Sequence, residues 1–96
     1  MIKRLEELMM NNKRVFLEVM DNQVVIHVKT NGKDFGRIKG YKPVEVVENT
    51  FKIDELVQIL RKSYFVNYFE KDSNILLVRN FKKVEENMVS FQESNV

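Results

Sequence analysis

RVFLEVM-DN-QVVIHVK, residues 14–29, is the stretch that decides the fold. Two runs rich in β-branched and aromatic residues around a short Asp/Asn turn predict a β-hairpin. Pairing across Asp21-Asn22 sets Val19 against Val24, Leu17 against Ile26 and Val15 against Val28. That face is wholly aliphatic and belongs to a core. The opposite face pairs Glu18 with Val25 and Phe16 with His27, so His27 is expected there as a partly solvated surface histidine.

N-terminal to the hairpin, Ile2, Leu5, Leu8 and Met9 recur at helical spacing, with Lys3, Arg4, Glu6 and Glu7 between them. This predicts a short amphipathic helix ending near Asn11–Asn12. C-terminal to the hairpin comes KTNGKDFGRIKGYKP, residues 29–43, which holds all three glycines and the one proline of the chain. A turn at Asn31-Gly32, an irregular strand over Asp34–Lys39 and a second turn over Gly40–Pro43 are expected, followed by a short strand in VEVVE. Ile53, Leu56, Val57 and Leu60 form a second helical stripe, with Asp54 near its start and Arg61-Lys62 at its end, as the helix dipole favours. YFVNYFE and NILLVRNF predict a second hairpin around Lys71-Asp72-Ser73, and Phe81, Val84, Met88 and Phe91 predict a C-terminal amphipathic helix.

A shift of 51 residues superposes Leu5 on Leu56, Val15 on Val66, Asp21 on Asp72 and Val24-Val25-Ile26 on Ile75-Leu76-Leu77. Both halves then read helix–strand–turn–strand, a candidate internal repeat. The expected fold is therefore α+β: a two-layer sandwich of a mainly antiparallel five- to six-stranded sheet with two or three helices. Residues 1–91 form one domain, and 92–96 fray.

Composition narrows the function. Charged residues make up 31% of the 96-residue chain and hydrophobic ones 44%, a globular balance. There is no cysteine, so thiolate metal sites are excluded and a reducing compartment is expected. No apolar run approaches the roughly 18 residues of a membrane span. The segment MIKRLEELMMNNKR lacks the uninterrupted apolar core of a secretion signal, so a cytoplasmic location is expected. Abundant Lys, Asn, Ile and Phe with no alanine is the composition of an A+T-rich genome or a mobile element.

Catalytic machinery is not expected. With one histidine and no cysteine there is no metal-ligand cluster, and neither a metal nor a cofactor is expected. Ser63, Ser73, Ser90 and Ser94 stand in no nucleophile motif. Asp34-Phe35-Gly36 spells a kinase tripeptide in a chain too short for a kinase. Arg61–Tyr68 matches the RNA-recognition octamer at Arg61, Phe65, Val66 and Tyr68. It lacks that octamer's small residues, carries Ser63 where a ring is needed and follows a helix, so it is set aside.

Two surfaces stand out as candidates for binding. One is the basic edge Lys29, Lys33, Arg37, Lys39, Tyr41 and Lys42, where cations interleaved with aromatics suit phosphates and bases. Residues 1–43 carry nine cations against five anions, whereas 44–96 carry seven against nine, so the basic excess lies in this half. The other is the aromatic strand, with Tyr64 and Tyr68 on one face and Phe65 and Phe69 on the other. Its second face suits either the C-terminal stripe Phe81, Val84, Met88 and Phe91 folding back over it, or a protein partner or a second copy of the chain. The expected function is a non-catalytic binding module, a regulator, adaptor or inhibitor acting through a protein interface, with nucleic acid as the alternative partner.

Overall fold

The computed structural model describes residues 1–30, 38–71 and 73–80. The elements follow one another as α1 (Ile2–Met9), β1 (Arg14–Met20), β2 (Gln23–Lys29), β3 (Tyr41–Glu48), α2 (Ile53–Leu60), β4 (Tyr64–Tyr68) and β5 (Ile75–Asn80). The five strands make one antiparallel sheet in the order β3-β2-β1-β5-β4. This is the α+β class that the periodicities predict.

The first hairpin has the register read from its sequence: Val19 faces Val24 and Leu17 faces Ile26. Asn22 takes φ of 62° at the turn, a left-handed conformation that Asn tolerates better than most residues. Alternation then sends Val15, Leu17, Val24, Ile26, Leu76 and Val78 to one face of the sheet. There they meet Leu5 and Met9 of α1 and Leu56, Val57 and Leu60 of α2 in the principal core. The start of α2 is held by Glu55, whose carboxylate accepts from the Lys52 amide at 3.3 Å. Arg4 of α1 reaches Glu45 of β3 at 3.2 Å, tying the helix to the sheet edge.

The other face of the sheet, opposite α1 and α2, is called the far face. It is not the plain solvated surface that the first hairpin suggests. Phe16, Ile38 and Ile75 are buried together there, with Tyr41 and Leu77 packed against them. Ile38 comes from the glycine-rich segment, which brings apolar cover onto Phe16. His27, opposite the buried Phe16 and 3.3 Å from the Glu18 carboxylate, is also buried, 4% exposed, rather than partly solvated.

The glycine-rich segment also turns differently from expectation. Its return bend is at Ile38–Gly40, where the Tyr41 amide donates to the Ile38 carbonyl at 3.1 Å and the Thr30 amide to the Gly40 carbonyl at 2.8 Å. Tyr41–Pro43 is therefore not a turn but the start of β3, so the strand expected in VEVVE has eight residues. Backbone pairing with β2 continues to Lys29 opposite Tyr41, which outweighs the turn propensity of Gly-Tyr-Lys-Pro. Pro43 is tolerated because β3 is an edge strand and the ladder shifts register between Ile26 and His27. The Asn31-Gly32 turn, the Asp34–Arg37 part of the irregular strand, Asp72 of the second turn, the helix over 81–91 and the tail 92–96 lie outside the described residues.

Candidate functional site

The far face can be laid out in rows running across the strands. Phe16 of β1 faces His27 of β2 and Leu77 of β5. His27 faces Pro43 of β3, and Leu77 faces Asn67 of β4. Two residues along each strand, on the same face, the neighbouring row is Tyr41, Lys29, Arg14, Arg79 and Phe65. In that row Lys29 faces Tyr41, Arg14 faces Arg79, and Arg79 faces Phe65. Three cations thus lie on the three adjacent strands β2, β1 and β5, with one ring at each end.

Arg14, Lys29 and Arg79 are exposed. The Arg79 guanidinium lies over the Phe65 ring at 5.6 Å, a cation–π contact that fixes both groups side by side. Tyr41 is half-buried and meets Phe16 edge-on with centroids 4.6 Å apart, so its ring direction is set by the small core beneath. On the other side of Phe16, Phe69 makes a similar edge contact at 5.1 Å while staying 45% exposed.

Among the described residues, a carboxylate on the same face of β1 is already engaged. Glu18 is buried, and its Oε1 lies 3.3 Å from His27 Nε2. Among the described residues, His27 Nδ1 has no hydrogen-bond partner. A buried polar pair of this kind holds β1 and β2 in register, because shifting either strand would strand a carboxylate in an apolar setting.

The sequence-predicted residues are distributed as follows. Lys29, Tyr41, Phe65 and Phe69 converge on the far face, so two of the six basic-edge residues and two of the four aromatic-strand residues belong to one site. Lys42 faces Val28 and is placed by alternation on the helix side, and Lys39 is exposed in the bend. Tyr64 is buried in the principal core. Tyr68 donates its hydroxyl to the Asp54 carboxylate of α2, which, ahead of its partial burial, raises the phenol above its ordinary value. Lys33 and Arg37 lie outside the described residues. Arg14 and Arg79 were not singled out by sequence. Arg14 could have been found by extending the Phe16–His27 pairing two residues, which places it beside Lys29. Nothing local in the sequence brings Arg79 to it.

Elsewhere, a cleft of about 490 Å³ opens between the β1–β2 turn and the link from β3 to α2. Its buried polar residue, Asn49, is spent on the backbone of Phe51: Nδ2 donates to the Phe51 carbonyl at 2.7 Å and Oδ1 accepts from the Phe51 amide at 3.2 Å. Among the described residues no cluster of His, Asp or Glu could hold a metal ion, and no helix is long and apolar enough to cross a membrane. No protein-family model, curated protein or solved structure matches the chain, so its functional reading rests on its own geometry.

Proposed function

We propose that this protein is a small non-catalytic binding module that engages a macromolecular partner through the far face of its sheet. The observation that carries this reading is the convergence of the two predicted surfaces. Lys29 and Tyr41 from the basic edge and Phe65 and Phe69 from the aromatic strand share one face, beside the exposed Arg14 and Arg79. Val46 at 59% exposure extends the apolar part onto the β3 edge. Partly exposed rings beside exposed cations are the side-chain types that binding surfaces use. We read the architecture as two layers, because among the described residues both helices, α1 and α2, contribute to the core on the opposite face. The helix–hairpin unit is read as used twice, α1-β1-β2 and α2-β4-β5, an arrangement supported by the element order.

A protein partner or a second copy of the chain docking on the β4 edge is the second reading. It is favoured by Phe65, Tyr68 and Phe69 all being exposed along that strand. The test is capture from host lysate with immobilised wild type, a Val46→Glu/Phe69→Ala variant and a helix-side control, Gln58→Lys, alongside light scattering. The far-face variant is expected to lose what the wild type retains, and the control to keep it. Equal retention by all three sinks the far-face reading, and a dimer broken by Tyr68→Ala but not by Val46→Glu would favour the β4 edge.

A further inference from the structure

We infer that the far face binds single-stranded nucleic acid, with phosphates crossing the strands along Lys29, Arg14 and Arg79 and bases stacking on Tyr41 and Phe65. This rests on the reading of the far face as the binding surface and names its partner. The first support is a cost within the sheet. Arg14 stands directly opposite Arg79, and like charges opposed across a ladder destabilise it. Lys29, on the strand next to Arg14, adds a third positive charge to the same row. Among the described residues none of the three has a carboxylate within ion-pair distance. Glu18, on the same face, is buried against His27 and cannot swing out to neutralise them without leaving the histidine unpaired. An anionic chain laid across the strands would relieve this repulsion.

The second support is the pairing of cations with rings. Neighbouring strands are about 4.8 Å apart, so the row from Tyr41 to Phe65 spans roughly 19 Å. At about 3.4 Å per stacked nucleotide this matches a site on the order of five nucleotides, fewer if the strand is extended. The rings lie at the two ends: Tyr41 offers a platform at one, and at the other the planar Arg79 guanidinium lies over the Phe65 ring, so a base there stacks on the cation–ring pair. A duplex hides its base faces and could use only the cations. Three cations and a net charge of +2 are too few to hold a duplex well at physiological salt. An acidic peptide would likewise use the charges and leave the platforms idle.

The test is fluorescence anisotropy with labelled ten-nucleotide oligouridine and oligothymidine, a duplex of the same length, and a ten-residue polyglutamate peptide. Both single strands should bind more tightly than the duplex or the peptide. For three phosphate contacts the affinity should fall about twentyfold between 50 and 200 mM salt, a log–log slope of about −2. Arg14→Glu and Arg79→Gln should each weaken binding at least fivefold or so and flatten that slope by about 0.7. Phe65→Ala should weaken binding by about fivefold or more with the slope unchanged, because stacking releases no counterions. Arg14→Glu sets opposite charges across β1 and β5, so it should fold at least as well as wild type, and a thermal melt checks this. Undetectable oligonucleotide binding at 50 mM salt overturns the inference, as does binding that both arginine variants retain in full. If polyglutamate binds through the same arginines and oligonucleotides do not, the inference falls while the far face stands as the binding surface. Loss of lysate capture as well would remove both.

Discussion

Gly40 is the residue at which the backbone geometry excludes most alternatives. It sits at φ of +79°, where an L side chain is strained, yet an added Cβ would meet nothing within 4 Å. The constraint is conformational rather than steric. Gly40→Ala is therefore expected to cost about 1–2 kcal/mol, measured by urea denaturation. Asn22→Gly, at the other left-handed site, should be nearly neutral, because glycine reaches that region without penalty. His27 shows the reverse limit of residue-level reading. Its position opposite Phe16 is legible, but its burial follows from packing on the far face that residue spacing does not encode.

At the scale of elements, β4 shows how alternation divides one aromatic run between two jobs. Tyr64 and Val66 enter the principal core, Tyr68 ties the strand to α2 through Asp54, and Phe65 turns to the far face. The hydrogen bond to the Asp54 carboxylate favours the neutral phenol of Tyr68, and burial does the same for Tyr64 with help from Glu6. Both phenols are raised above their ordinary value of about 10. Their contribution to stability is thus full below pH 10 or so and is lost as pH rises through the elevated folded values. The melting temperature should fall above about pH 10, and Tyr68→Phe should make that fall shallower. An identical alkaline profile in Tyr68→Phe would mean that the α2–β4 link carries no protonation-dependent stability.

For the whole molecule, the sheet is the structure that both helices depend on. Leu17 and Leu76 face each other on the central strands β1 and β5, and neither is exposed. Truncating such a side chain typically costs about 2–5 kcal/mol. A domain of this size has a total of only about 5 kcal/mol or a little more in reserve. Leu17→Ala should therefore leave a substantial fraction unfolded at 37 °C, visible as a broad or absent thermal transition by circular dichroism. Retention of a sharp wild-type melt would show that the hairpins hold together without this contact.

The sequence by itself determined the helical stripes, the register of the first hairpin and which residues of each strand share a face. These follow from the 3.6- and 2-residue periods and from turn length, which act over a few neighbouring residues. Only the tertiary structure decided that β1 lies against β5, a pairing between residues more than fifty positions apart that no local signal encodes. That adjacency is set by burial of a common core beneath α1 and α2. It brings Arg79 opposite Arg14, and it joins Lys29 and Tyr41 of the basic edge with Phe65 and Phe69 of the aromatic strand on one face.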